Sequence, residues 1–199
     1  GPVVIALPED MLRERVSVPD ATAFTPVEIS PGKDEMNRLQ DLLGQAKRPV
    51  ALIGGSRWTE DAAAELMKFA ERFALPIATT FRRGHLFDAT HPCYAGDFGI
   101  GPNPKLLARV KSADLLLLIG GRFGEMPSQS YSVLDIPEPQ IKLVHVHPGA
   151  EELGRVYHPY LAINAAPTAF CSALRELQPP KQIAWRGESD TAHADYLAW

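Results

Sequence analysis

The sequence has little cysteine, no long apolar run and no excess of positive charge. Its two cysteines, Cys93 and Cys171, have no paired spacing, which predicts a reduced, cytoplasmic protein without disulfides. No apolar run approaches the ~20 residues that span a bilayer, so we expect no membrane partner. Lys and Arg number 20 against 24 Asp and Glu, for a net charge of −4. Because the basic residues are scattered along the chain, we expect no nucleic-acid partner.

Familiar catalytic motifs are also missing from the sequence. The 199 residues contain no Walker loop, no serine nucleophile elbow, no His-Glu-x-x-His helix and no G-x-G-x-x-G dinucleotide fingerprint. Neither cysteine lies in a motif that activates a nucleophile. We therefore predict that this chain contributes no catalytic residue.

Short apolar runs alternate with segments of helical periodicity. Residues 115–119, Leu-Leu-Leu-Leu-Ile, show no polar alternation, which suits a strand covered on both faces. Further strands are predicted at 50–53, 76–80, 94–95, 142–147 and 161–163, and helices at about 31–48, 59–74, 103–112 and 168–177. This alternation predicts a three-layer α/β fold of the Rossmann type, with a six-stranded, mainly parallel sheet and helices on both faces.

Both ends of the sequence differ from this pattern. Residues 3–7, Val-Val-Ile-Ala-Leu, predict another buried strand, which Pro8 ends. This strand has no element before it to pair with, so we expect the chain to be a piece of a longer one. The proline-rich residues 8–31 predict a surface linker, and the polar residues 181–199 predict a second linker entering a truncated helix.

Glycine pairs end two of the predicted strands. Gly54-Gly55 follow the strand at 50–53, and Gly120-Gly121 follow the strand at 115–119. Ligands of open α/β sheets bind at the carboxyl ends of the strands, where glycine lets backbone amides approach a phosphate. Tight turns without any ligand explain the glycines equally well, so both interpretations stay open.

Three arginines also come just after strand ends, where a guanidinium can bind phosphate in a bidentate manner. Of Arg82, Arg83 and Arg122, we expect one to face a cleft, and Arg122 is the choice. The glycine-rich segment 96–101 is either a phosphate-approaching loop or a flexible connection.

His145 and His147 share one face of their strand, which is half of a metal site. No Cys, Asp or Glu at a recognisable spacing completes the site, so we predict no metal there.

Five segments, in this order, resemble the central domain of thiamine-diphosphate-dependent enzymes of the acetolactate synthase type. They are Gly1–Asp10, Arg48–Gly55, Thr90–Gly96, Gly120–Phe123 and Val144–Gly154. The resemblance implies three parts. Residues 1–31 are the end of a preceding pyrimidine-binding domain and a linker, residues 32–179 are the central Rossmann-like domain, and residues 180–199 lead toward a diphosphate-binding domain.

The resemblance also implies what a longer parent protein does. In this family the catalytic Glu belongs to the preceding domain, and the diphosphate and magnesium motif belongs to the following one. Thiamine diphosphate and magnesium are therefore expected in the parent only, a lyase or transferase that forms a homodimer or homotetramer. This segment is expected to be a non-catalytic scaffold whose partners are the two other domains of the same chain.

The central domain binds FAD in acetolactate synthases and ADP in oxalyl-CoA decarboxylase relatives. The matching positions here are Gly54, Gly55, Thr79, Gly96, Gly99, Gly121, Arg122 and Phe123. The family's Asp-x-Asp strand end is replaced by His145-Val146-His147, and its Gly-Met-His-Gly loop by Gly99-Ile100-Gly101-Pro102. These departures weaken the case for FAD, so FAD or ADP is a possible ligand but not the favoured expectation. A flavin- or nicotinamide-nucleotide-binding redox module and a free-standing interaction domain are the alternatives.

Overall fold

The computed structural model describes residues 3–199, and within this range six strands form one parallel sheet. The strands are β1 (Pro49–Ile53), β2 (Ile77–Thr80), β3 (Tyr94–Phe98), β4 (Leu115–Ile119), β5 (Lys142–His147) and β6 (Leu161–Asn164). They lie in the order β3-β2-β1-β4-β5-β6, and every neighbouring pair is parallel. The predicted α/β fold is confirmed, and the sheet is entirely rather than mainly parallel.

Helices cover both faces of the sheet. They are α1 (Lys33–Gln45), α2 (Glu60–Phe73), α3 (Pro104–Lys111), α4 (Pro167–Ala173) and α5 (Arg186–Leu197). Apolar residues of α1, α2 and α4 pack with Ala51 and Ile53 of β1 in one core cluster. Val50 and Leu52, on the opposite face of β1, pack with residues of α3 and α5 in the other. The unbroken apolar sequence of the central strands follows from this double coverage.

The central pair of strands aligns two turns at one edge of the sheet. β1 and β4 pair from Pro49 opposite Leu115 to Ile53 opposite Ile119. Because the strands are parallel and end in register, the residues that follow them, Gly54 and Gly120, are side by side. This arrangement positions the candidate site described below.

Two predicted helix boundaries are corrected. The first helix begins at Lys33 with Gly32 in the cap position, not near residue 31. The chain is still extended at Gly32, and just before it the carbonyl of Ile29 accepts a hydrogen bond from the amide of Ala166 at 3.0 Å. The predicted helix at 168–177 is α4 followed by a 3-10 turn at Leu174–Glu176.

The predicted strand at residues 3–7 is wrong for this chain. Val3, Val4, Ile5 and Leu7 are 67–92% exposed and lie in extended, unpaired chain. The apolar run suits a strand, but no strand among residues 3–199 pairs with it. Gly1 and Pro2, where the first resembling segment starts, lie outside the described residues.

The segment 180–199, expected to be a linker, packs against the domain. Trp185 is 1% exposed, and its indole N–H donates to the carbonyl of Phe73 at 2.9 Å. His193 of α5 bonds through Nδ1 to the carbonyl of Tyr94 at 2.9 Å, and the Tyr196 ring meets the Tyr94 ring edge-on at 4.8 Å. Helix α5 therefore covers β3, while the domain boundaries themselves stay a prediction. None of the helices in residues 3–199 combines the length and hydropathy needed to cross a bilayer.

Candidate functional site

A cleft of about 830 Å³ opens at the carboxyl ends of the central strands. Its walls come from the turns after β1, β2 and β4 and from the segment after β5. The chain runs outward from β1 to β2 and β3 on one side and from β4 to β5 and β6 on the other. Such a switch point in an open parallel sheet leaves a crevice in which ligands bind.

The two glycine turns at the base of the cleft are packed directly on each other. Gly55 and Gly120 have φ of +73° and +76°, a left-handed conformation that favours glycine. A Cβ on Gly55 would lie 1.8 Å from the carbonyl oxygen of Gly120, and a Cβ on Gly54 would lie 2.0 Å from Oγ1 of Thr80. The approach of the two backbones thus requires Gly55 and Gly120 whether or not a ligand is bound. Gly55, Gly120 and Gly121 line the cleft, whereas Gly54 packs against its neighbours.

Four arginines line the cleft, and they differ in their partners. Arg57 pairs with Glu28 at 2.8 Å. Arg155 lies 3.5 Å from Glu152, which also lines the cleft. Within residues 3–199, Arg83 and Arg122 form no salt bridge. An anion in the cleft therefore meets two guanidinium groups that no carboxylate neutralises.

The structure brings two of the three expected arginines to the cleft rather than one. Arg122, the predicted residue, is exposed in the turn after β4, and Arg83 lines the same space from the turn after β2. Arg82 is not one of the residues that line the cleft within residues 3–199, and its guanidinium lies 4.9 Å from the centre of the Phe81 ring.

Sequence reasoning missed several polar residues of the cleft. Arg57 follows the first glycine pair by two residues, and Glu151, Glu152 and Arg155 come shortly after β5. Their position just beyond strand ends is the signal that could have found them. The cleft thus contains carboxylates, although the end of β5 itself carries histidines.

The two histidines of β5 form hydrogen bonds with the backbone of the cleft wall. His145 is buried, and its Nε2–H donates to the carbonyl of Gly121 at 2.9 Å. Burial lowers the pKa of His145 from 6.5 to about 4, and the bond to Gly121 opposes part of that shift. The Nδ1 of His147 accepts from the amide of Gly149 at 3.0 Å. Among residues 3–199, no three His, Cys, Asp or Glu side chains cluster as metal ligands.

The remaining predicted positions lie partly outside the cleft. The Thr79 hydroxyl is buried and 3.1 Å from the hydroxyl of Tyr94, and Gly96 packs against Tyr196. The carbonyl of Gly99 accepts from Nε2 of Gln129 at 2.9 Å. These contacts make Thr79, Gly96 and Gly99 parts of the packing between β2, β3 and their loops.

Phe123 lies at the boundary between the cleft and the core. It lines the cleft, but its side chain is 1% exposed. Its ring stacks 6.1 Å from Phe98 and lies 5.8 Å from Tyr157 in the core. Phe123 therefore anchors the turn that carries Arg122.

Both thiols are poor nucleophiles. Cys93 and Cys171 are buried free cysteines. Burial raises the pKa of Cys93, and it raises the pKa of Cys171 to about 12. Because the thiolate is the reactive form, neither side chain is suited to covalent catalysis at neutral pH.

Residues 36–174 match the family model described as "Thiamine pyrophosphate enzyme, central domain". The chain belongs to this family. The predicted resemblance is thereby confirmed. The fold described above is the fold of this thiamine pyrophosphate enzyme central domain.

Known relatives of this central domain are several times longer. The acetolactate synthase large subunit of Corynebacterium glutamicum is 27% identical over 78% of the chain and 25% of its own length. The sulfoacetaldehyde acetyltransferase of Alcaligenes xylosoxydans xylosoxydans is 27% identical over 87% of the chain and 29% of its own length. The 3D-(3,5/4)-trihydroxycyclohexane-1,2-dione hydrolase of Clostridium perfringens is 28% identical over 73% and 24%. The chain thus matches about a quarter to three-tenths of each relative.

The described residues of this central domain do not fit a magnesium ion. A magnesium site needs oxygen ligands grouped around one point. The described residues offer no such group, and the cleft acids share their space with four arginines. Guanidinium groups and backbone amides can bind a phosphate group without a metal, so the chemistry of the cleft suits an anion.

Proposed function

We propose that this chain is the non-catalytic central domain of a longer thiamine-diphosphate-dependent enzyme, a 2-oxo acid decarboxylase or carboligase similar to acetolactate synthase. The domain spaces and docks a pyrimidine-binding and a diphosphate-binding domain of the same chain. Thiamine diphosphate and magnesium bind in those domains, and the parent is a cytoplasmic homodimer or homotetramer. The family match and the lengths of the relatives support this proposal.

The observation that carries the scaffold role is the exposed apolar arm, residues 3–28. Val3, Val4, Ile5, Val16 and Phe24 are between 72% and 92% exposed, and nothing in residues 3–199 covers them. Each such side chain gains about 1.5–3 kcal/mol when it is fully buried, so their joint exposure favours a second protein surface. We assign that surface to the preceding domain of the same chain.

We further propose that the cleft binds the diphosphate of a nucleotide weakly. Arg83 and Arg122 supply unneutralised guanidinium groups at the switch point of the sheet. Glu151 and Glu152 supply carboxylates that can accept hydrogen bonds from ribose hydroxyls, but their negative charges also repel the phosphates. A balance of this kind supports reversible binding of ADP rather than tightly held FAD.

The scaffold role is tested by mixing the purified chain with thiamine diphosphate, magnesium and pyruvate. We expect no carbon dioxide release, because the catalytic residues are assigned to the two other domains. Turnover by these 199 residues would refute the non-catalytic role. A yellow preparation with flavin absorbance would instead favour the redox-module alternative.

The cleft is tested with Arg122→Ala and with Arg38→Ala, an exposed arginine of α1 outside the cleft, as the control. Loss of one charge-assisted contact predicts that Arg122→Ala weakens ADP binding about tenfold in titration calorimetry. Both variants should keep the stability of the unchanged protein within about 0.5 kcal/mol, since both sites are exposed. A large fall in the melting temperature of Arg122→Ala without ligand would mean that Arg122 has a structural role.

A further inference from the structure

One arginine of the cleft is held by the arm. Nη2 of Arg57 donates to the carbonyl of Val27 at 3.0 Å and to Oε2 of Glu28 at 2.8 Å. Arg57 is a lining residue of the cleft, whereas Val27 and Glu28 belong to the exposed arm. The end of the arm therefore contacts the rim of the candidate site.

Glu28 is fixed from its other side as well. The Thr168 hydroxyl, at the start of α4, donates to Oε1 of Glu28. Ile29, the next residue of the chain, accepts from the amide of Ala166. Each carboxylate oxygen thus has its own donor from a different element, unlike a typical mobile surface ion pair.

Arg57 itself is held in an unusual conformation. Its φ of +66° is in the left-handed region, which non-glycine residues rarely adopt. Its side chain remains 34% exposed. Among the four arginines that line the cleft within the described residues, Arg57 is the one neutralised by a carboxylate from outside the cleft.

We propose that Glu28 acts as an internal competitor for Arg57, so that docking of the arm and binding of an anion in the cleft oppose each other. This inference rests on the proposed anion-binding cleft and adds its regulation. A phosphate group that takes Arg57 breaks the contact with Glu28 and loosens the end of the arm. Because coupling between two binding events is reciprocal, a firmly docked arm weakens anion binding by the same factor.

Inorganic pyrophosphate is the probe, and titration calorimetry measures its affinity for the 199-residue chain. Glu28→Gln removes the competing charge. Glu14→Gln removes the same charge from another arm residue, which forms no salt bridge within residues 3–199, and serves as the matched control. An exposed ion pair of ordinary strength predicts that Glu28→Gln binds pyrophosphate about two- to fivefold more tightly than Glu14→Gln does. Circular dichroism confirms that each variant is folded.

A double-mutant cycle separates direct competition from a general charge effect. In an Arg57→Gln background, Glu28→Gln should change the affinity no more than Glu14→Gln does. Equal pyrophosphate affinities of the two single variants would overturn the competition but leave the anion cleft in place. A gain in affinity on Glu28→Gln that persists in the Arg57→Gln background would have the same meaning. Failure of every variant to bind pyrophosphate would overturn both the proposed cleft ligand and this inference.

Discussion

Gly55 offers the sharpest test of how the site is built, because two separate costs of substituting it can be measured independently. Its φ of +73° costs an L residue about 1–2 kcal/mol. A Cβ at this position would also lie 1.8 Å from the carbonyl oxygen of Gly120, a backbone atom that can move only with its whole turn. Overpacking of this kind costs about 1–3 kcal/mol. We therefore expect Gly55→Ala to lose about 2–5 kcal/mol of unfolding free energy.

Two other glycines provide controls for these costs. Gly101 also has a left-handed φ, +62°, but nothing lies within 4 Å of a Cβ built there. Gly101→Ala should therefore show the conformational cost alone, about 1–2 kcal/mol. Gly44, in the last turn of α1, has neither restriction. Gly44→Ala should stabilise the protein by about 0.5–1 kcal/mol, because alanine is the better helix residue.

Urea unfolding followed by circular dichroism gives the free energy of unfolding of all three variants. A loss of 2–5 kcal/mol at Gly55 corresponds to a fall of about 4–20 °C in melting temperature for a chain of this size. The order of stability should be Gly44→Ala, then the unchanged protein, then Gly101→Ala, then Gly55→Ala. If Gly55→Ala is no less stable than Gly101→Ala, the close approach of the two turns is not what requires glycine there.

Two further predictions concern buried rings. Burial lowers the pKa of His145 from 6.5 to about 4, so as the pH falls the unfolded state binds a proton before the folded state does. Between pH 6.5 and pH 4, protonation at this position therefore lowers the free energy of unfolding by up to about 3 kcal/mol. His145→Gln keeps an N–H donor for Gly121 and should lose less stability from pH 7.5 to 4.5 in urea unfolding; an identical loss would contradict the pKa shift. Trp185→Phe leaves the carbonyl of Phe73 unpaired and should cost about 1–3 kcal/mol, whereas Trp199→Phe, at a 73% exposed position, should cost under about 0.5 kcal/mol. Equal unfolding free energies for the two tryptophan variants would show that the segment before α5 does not fold with the sheet.

The arm shows where reasoning from a local pattern fails. Val3 to Leu7 have the composition of a buried strand, but burial depends on a surface that the pattern does not contain. Residues 180–199 show the reverse. Their polar sequence predicts a linker, yet Trp185 and α5 pack against α2 and β3 because partners distant in sequence are available.

The order of elements and the edge of the sheet that carries the cleft follow from the sequence alone. Unbroken apolar runs such as 115–119 require cover on both faces, and strands that alternate with helices pair in parallel. Parallel strands end at a common edge, so the turns after β1 and β4 were predictable as the candidate site.

Only the tertiary structure decided which side chains meet at that edge. Arg57, Arg83, Arg122 and Arg155 are brought together by four different loops, and the arm selects Arg57 as the one that Glu28 neutralises. Thr79, Gly96 and Gly99, which the resemblance offered as cofactor positions, form packing contacts and are not among the residues that line the cleft. The physical reason is range. A sequence pattern reports on residues that are a few positions apart. The contact between Glu28 and Arg57 joins positions 29 apart, and the contact between Glu28 and Thr168 joins positions 140 apart.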